Sequence, residues 1–330
     1  MRILFIGGSG NISSACTKLA LIKGHQVFHL NRGNTESPFK KEVQTIIADI
    51  NDVDFVRNSV KDHYFDVVVN FIAYNTSDIE RDFSIFNEKT DQYIFISSAS
   101  VYQKPPVHPV ITESTPLKNP FWKYSRDKIA CENVLNDLYR DKGFPITIIR
   151  PSLTYETVIP AAIGSWDDFT IIDRIRKGRK IIVHGDGTSL WTITHSEDFA
   201  KGFVGLLGHQ QAIGHSFHIT SDEILTWNQI YEAIGMAAGR KPDMIHIPSS
   251  YIATFDDFQT GNLLGDKAHS VIFDNTKIKS FVPEFIATIP FKEGIRKTVK
   301  WFEEKPSRMR IIDETNQFMD KVIQSYLNLG

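Results

Sequence analysis

The chain has 330 residues, 42% of them hydrophobic and 23% charged, with a formal net charge of -2. That composition is globular and supplies one large or two smaller domains. The near balance of charge excludes a global attraction to nucleic acid or to an anionic membrane.

Arg2–Ile6 is an apolar strand that runs into Gly7-Gly8-Ser9-Gly10-Asn11-Ile12-Ser13, and a helical pattern follows. Strand, glycine turn and helix in that order form a seat for a dinucleotide pyrophosphate. Gly7 allows the tight turn. Gly10 lets backbone approach the phosphates over the free N–H groups of the helix N-terminus. Asn11 and Ile12 open that helix and join the expected cofactor contacts. The short N-terminal apolar run is broken by these glycines and is not read as a signal peptide.

Further apolar strands are expected at 26–30, 45–49, 65–71, 93–97 and 146–150, with helical runs between them, the clearest at 124–139. Continuous apolar strands interleaved with helices argue for a doubly wound α/β parallel sheet. Beyond Pro151 the pattern loosens. Residues 155–166 read as loop, 170–177 as helix, 180–183 as strand, and 196–207 and 227–238 as helices. Residues 1–155 are expected to form the dinucleotide-binding domain. Residues 156–330 form a smaller substrate domain, with about 192–220 returning to the first.

The run Arg174, Arg176, Lys177, Arg179 and Lys180 reads as a solvated helix end and turn, with a phosphate or polyanion site as the alternative. The only cysteines, Cys16 and Cys131, exclude a disulfide framework and a paired-cysteine zinc site. No histidine pair has metal-ligand spacing, so no metal is expected. No stretch reaches the roughly 18 apolar residues of a membrane span, and a cytoplasmic protein is expected.

Tyr124 and Lys128 lie four residues apart on the expected helix and share a face. A phenol works as a base near neutral pH only when its pKa is lowered, and a neighbouring ammonium does that. Such pairs also occur on solvated helices. Ser98 ends a buried strand, where a hydroxyl can hydrogen-bond a substrate oxygen or simply close the strand.

The glycine turn, Ser97-Ser98-Ala99-Ser100-Val101-Tyr102, the Tyr124/Lys128 pair, Arg150-Pro151, Gly185-Asp186-Gly187 and His195-Ser196-Glu197-Asp198 together resemble the extended short-chain dehydrogenase/reductases. That is the NAD(P)-dependent epimerase/dehydratase family, with a Rossmann fold. The resemblance implies that Tyr124 exchanges a proton with a substrate hydroxyl while hydride moves to or from nicotinamide. It implies that Lys128 lowers the tyrosine pKa and holds the nicotinamide ribose, and that Ser98 positions the reacting oxygen. Asp49, with Ile50 beside it, matches the aspartate that contacts adenine. Phe71 and Ala73 lie where the fourth strand passes the cofactor.

NAD-binding folds commonly end the second strand with an acid on the ribose 2′-hydroxyl. Here Asn31 and Arg32 stand there. An arginine grips a 2′-phosphate, so NADP is favoured over NAD.

Departures from the family pattern carry information too. Ser13 replaces the third glycine and is expected to loosen helix packing mildly. The stretch 73–97 is short, which puts a complete proton relay and a helix-mediated homodimer in doubt. Trp191 stands where a diphosphate-binding arginine is common, and a nucleotide-sugar substrate becomes less secure. Ala99-Ser100 stands where sugar 4,6-dehydratases carry Asp-Glu, which argues against dehydration. Candidate substrate contacts are Ser100, Tyr155, Trp166, Trp191 and Arg174, with His195 and His269 as further pocket candidates and His195 not read as a general base. The expected function is sugar or nucleotide-sugar epimerisation or reduction. The alternative is a non-catalytic NAD(P)-binding protein. It follows a similarity of the shortened segment to chloroplast stem-loop RNA-binding members, with the 174–180 run as its RNA-facing feature.

Overall fold

A computed structural model describes residues 1–34, 39–164 and 166–329. The central sheet has seven strands: β1 (Arg2–Ile6), β2 (Gln26–Asn31), β3 (Gln44–Ile47), β4 (Phe65–Asn70), β5 (Thr90–Ile96), β6 (Ile146–Pro151) and β7 (Ser216–Ile219). Their order is β7-β6-β5-β4-β1-β2-β3, and every neighbouring pair is parallel. This is the Rossmann arrangement. The order changes direction at β1 and β4. In open parallel sheets a ligand crevice lies beyond the carboxyl ends of such strands.

A parallel sheet needs crossover helices, and these bury both of its faces. The helices of this half are α1 (Asn11–Ile22), α2 (Val53–Ser59), α3 (Thr76–Phe86) and α4 (Lys123–Lys142). Later come α5 (Thr170–Arg176), α6 (Ser196–Leu206) and α7 (Trp227–Ala238). On one face Phe5, Ile94 and Ile149 pack with Phe199 and Phe203 of α6 and Cys16 of α1. On the other, Leu4, Val68 and Phe95 pack with Ile79 of α3 and Cys131 and Leu135 of α4. Ile3, Leu4, Phe5 and Ile6 are all fully buried, which is why β1 reads as an unbroken apolar run. Each such side chain contributes about 1.5–3 kcal/mol through burial.

A third core lies in the second half, where Trp191, Trp227, Tyr231 and Phe302 are buried together. Short strand pairs border it: Leu153–Tyr155 with Ile193–His195, and Ile181–His184 with Met244–Ile247, both parallel. The segment expected as loop from residue 155 therefore starts inside a strand.

Helix α4 runs past the expected end because nothing stops it before Gly143, which takes the left-handed conformation (φ 68°) and closes it. The stretch 73–97 holds α3, eleven residues long. Asn75 caps it, accepting from Asp78 N–H at 3.1 Å.

Candidate functional site

The glycine turn is built for close approach. Gly7 has φ +84°, and a Cβ there would stand 2.6 Å from Ile72 Cγ2. At Gly10 a Cβ would meet only Ser13 Oγ, at 3.5 Å. The protein itself therefore does not demand glycine at position 10, and the space above it is open to a ligand. Ser13 does not loosen this turn. Its Oγ accepts from Gly10 N–H at 2.8 Å and donates to Gly7 O at 2.9 Å. It ties the two glycines together.

A cleft of about 700 Å³ opens beside the turn, lined by Gly7, Gly10, Asn31, Arg32, Asp49 and Ile50. Asp49 lies just past the end of β3, and its Oδ1 accepts from Asn51 N–H at 2.9 Å. Arg32 forms no ion pair among the described residues. Asn11 is used differently from expectation. Its side chain donates to Thr154 O at 3.0 Å and accepts from Thr157 N–H at 3.0 Å. It pins α1 to the 154–157 segment and does not line the cleft.

A second cleft, of about 330 Å³, is lined by Ile12, Phe71, Ser98, Ser100, Tyr124 and Lys128, and also by Trp122, Trp166, Asp266 and Lys267. Tyr74 borders both clefts. Helix α4 supplies Tyr124 and Lys128, and the end of β5 supplies Ser98. Ala73 contributes only its carbonyl. Lys128 Nζ donates to Ala73 O at 2.6 Å and to Ile96 O at 2.8 Å, and stands 4.7 Å from the rings of Tyr74 and Phe95.

Burial pushes Tyr124 up to about 12, while Ser98 acts to lower it. Burial lowers Lys128 to about 8, outweighing the nearby carboxylates of Glu132 and Asp78. Lys128 thus loses its proton before Tyr124 does. In the protein alone the phenolate forms beside a neutral amine, so the expected lowering of Tyr124 by Lys128 is not realised.

Residues 3–220 match the NAD dependent epimerase/dehydratase family. The chain belongs to that family. It is 26% identical to the chloroplast stem-loop binding protein of 41 kDa b of Arabidopsis thaliana, a match over 74% of this chain and 65% of that protein. It is 22% identical to the 2'-dehydrokanamycin reductase of Streptomyces kanamyceticus, over 77% and 71% of the two chains. It is also 22% identical to human dTDP-D-glucose 4,6-dehydratase, over 92% and 89%. Among solved structures, an epimerase from Methanothermobacter thermautotrophicus superposes with a TM-score of 0.76 at 17% identity, covering 94% of each chain. UDP-glucose 4-epimerase from Bifidobacterium longum, in complex with NAD+ and UDP, gives 0.71 at 18% identity over 93% and 100%. These likenesses establish the fold of this family member.

Three expected substrate contacts lie outside both clefts. Tyr155 is fully buried, its ring edge-on to His195 and Phe291 at 5.2 Å. Trp191 is buried against Trp227, with ring centroids 5.6 Å apart. Arg174 is buried, donating to Asn316 Oδ1 and Asp320 Oδ1. An aromatic or arginine at a loop edge looks the same in sequence whether it faces a ligand or closes a core. The rest of the basic run is paired as well: Arg176 with Glu303, Lys177 with Asp173, Arg179 with Asp320 and Lys180 with Asp243. His195 caps α6, its Nδ1 accepting from Glu197 N–H. His269 hydrogen-bonds Leu264 O and borders a separate surface cavity.

Sequence reasoning did not single out Tyr74, Trp122, Asp266 or Lys267. Asp266 sits between two buried ammoniums, 3.7 Å from Lys104 Nζ and 3.3 Å from Lys267 Nζ. Its charge raises the Tyr124 pKa, so it faces the same space. The signal was a charged pair, Asp266-Lys267, in a stretch without strand or amphipathic-helix periodicity.

Proposed function

We propose that the chain is an NAD(P)-dependent oxidoreductase that epimerises or reduces a sugar or nucleotide sugar. One observation carries this reading: Ser98, Tyr124 and Lys128 meet in one cleft that adjoins the glycine-turn cleft at Tyr74. The larger cleft fits a dinucleotide, because its open glycine, Gly10, faces empty space at a helix N-terminus. Gly7, Gly10 and the first turn of α1 would hold the pyrophosphate. Asp49 and Ile50 would flank the adenine, with Phe71 and Lys128 toward the nicotinamide end. Arg32 at the end of β2 favours NADP. When bound, the nicotinamide supplies or accepts the hydride.

The chain's own part is proton transfer and orientation. Tyr124 gives its hydroxyl proton to a substrate oxygen in reduction and recovers one in oxidation. Ser98 donates to the same oxygen. Trp122 and Trp166 offer apolar walls to a sugar face, and Asp266 accepts from ring hydroxyls. Residues 1–155 together with 192–220 carry the cofactor in this reading, and the rest shapes the substrate side. We set 4,6-dehydration aside on Ala99 and Ser100, neither of which transfers a proton as a carboxyl does. RNA binding is not favoured, because ion pairs consume the basic run that suggested it.

The test is a titration of NADPH, NADP, NADH and NAD against tryptophan fluorescence, followed by turnover with keto-sugars. Tight NADP(H) binding and reduction of a keto-sugar support the reading. No binding of any of the four overturns it.

A further inference from the structure

Behind Ser98 lies a chain of hydroxyls that starts and ends on adjacent residues of one helix. Ser125 follows Tyr124 on α4 and is fully buried. Its Oγ donates to Ser100 Oγ at 2.8 Å. Ser100 Oγ in turn lies 2.9 Å from Ser98 Oγ. Ser98 also accepts from Ser100 N–H at 3.2 Å, where it caps the short turn Ala99–Val101. Ser98 and Tyr124 line the same cleft, and Ser98 acts to lower the Tyr124 pKa.

Ser125 is the donor to Ser100; between Ser98 and Ser100 either hydroxyl can donate, and one consistent assignment runs as a chain toward the cleft. A serine hydroxyl has one proton and two acceptor lone pairs. In that assignment Ser125 gives its proton to Ser100, and Ser100 gives its own to Ser98. Ser98 then has both lone pairs engaged, by the N–H and the O–H of Ser100. Its single proton is left for the cleft, where Tyr124 and the substrate oxygen stand. Hydrogen bonds in such a chain polarise one another in the same sense.

A buried asparagine frames the chain. Asn119 is buried and donates to Ser100 O at 2.8 Å and Gly265 O at 2.7 Å. Its Oδ1 accepts from Phe121 and Trp122 N–H, at the start of α4. One side chain thus locks the turn that carries Ser100 to the helix that carries Ser125 and Tyr124.

We propose that Ser100 and Ser125 are positioning residues that fix Ser98 as a hydrogen-bond donor toward Tyr124 Oη and the substrate oxygen. The proposal rests on the reading of Tyr124 as the proton-transfer group. Ser100 thereby acts through Ser98, whatever contact it also makes with substrate. No proton leaves through the chain. It sets a direction, and a phenolate at Tyr124 is the species it stabilises.

The test needs no substrate. Fluorotyrosine is placed at position 124 of the full chain, and its ionisation is followed by fluorine NMR across pH. Ser98→Ala defines the effect of losing the donor. Ser100→Ala and Ser125→Ala are expected to raise the fluorophenol pKa in the same direction. Roughly half to one pH unit is expected, the size of weakening one hydrogen bond to the charged form. Ser125→Thr, which keeps the hydroxyl, is expected to restore the wild-type titration and guards against a folding artefact. The proposal is overturned if Ser98→Ala shifts the titration while Ser100→Ala and Ser125→Ala do not. It is equally overturned if Ser98→Ala shifts nothing. Failure of every keto-sugar to turn over would instead count against the enzymatic reading, and leaves this titration readable.

Discussion

Lys128 stands one helical turn beyond Tyr124, with its Nζ 5.8 Å from the centre of the phenol ring. Two of its three protons go to the carbonyls of Ala73 and Ile96, so it acts on Tyr124 through its charge. A positive charge placed there favours the phenolate. That help exists only while the amine is protonated. With Lys128 near 8 and Tyr124 near 12, the pair in the free protein loses it.

The pH profile follows. A lysine lowered to about 8 is charged below that pH and neutral above it. The kcat/KM of the enzyme reports ionisations of its free form. We expect kcat/KM for reduction to fall as pH rises through about 8. Lys128→Met should lower kcat/KM at neutral pH and remove that limb. A wild-type profile that stays flat through this range would exclude a role for the charge.

Tyr124→Phe removes the proton donor and leaves the ring. Turnover should fall by about 100-fold or more, the scale of general acid-base catalysis. NADP affinity should stay within a few-fold of wild type, because Tyr124 does not line the glycine-turn cleft. Steady-state rates and a fluorescence titration on the same preparation check both parts. Undiminished turnover would sink the proposed role.

The fold was legible because its signal is repetitive. Strands buried on both faces give unbroken apolar runs, and β1, β4 and β6 stand close to where the pattern puts them. That Ser98, Tyr124 and Lys128 share one cleft was legible through the family resemblance, whose motifs are local to one helix and one strand end. Tyr155, Trp191 and Arg174 were misread for the opposite reason. Whether a large side chain faces a cleft or a core depends on partners such as Phe291, Trp227 and Asp320, far away in the chain. Asp266 was missed on the same grounds, since Lys104 reaches it across 162 positions. Ser13 shows a third limit. Its volume argued for looser packing, while its hydroxyl makes two bonds that close the turn.

Arg32 should decide between the two cofactors. It lines the larger cleft together with Asn31, and among the described residues no acid at the end of β2 repels a 2′-phosphate. Arg32→Ala should weaken NADP by about tenfold or more, the size of one lost charge-assisted hydrogen bond, and leave NAD within a few-fold. Asn31→Asp should weaken NADP and strengthen NAD. Equal loss of both cofactors in Arg32→Ala would mean the arginine does not read the phosphate.

Acid should destabilise the fold well above the carboxylate range. Burial lowers His29, His184 and His195 to about 4 each. Unfolded, each binds its proton near 6.5, so between those values the unfolded chain holds more protons and stability falls as pH falls. Glu156 opposes them. Burial, with Glu197 nearby, raises it to about 7, so the folded chain holds its proton where the unfolded chain does not. Three groups against one leave a net of about two protons, from which Asp82, its carboxyl also raised by burial, subtracts. His218 and His269, also lowered by burial, add to the majority. From about pH 6 to pH 5 the expected loss is roughly 2–3 kcal/mol, a large share of an ordinary domain's stability. Urea midpoints across that interval measure it. His184→Gln should lower the midpoint throughout, yet flatten its slope with pH by about one proton. Glu156→Gln should steepen the slope. A midpoint that holds constant from pH 6 to 5 would show that these histidines ionise in the folded chain without penalty.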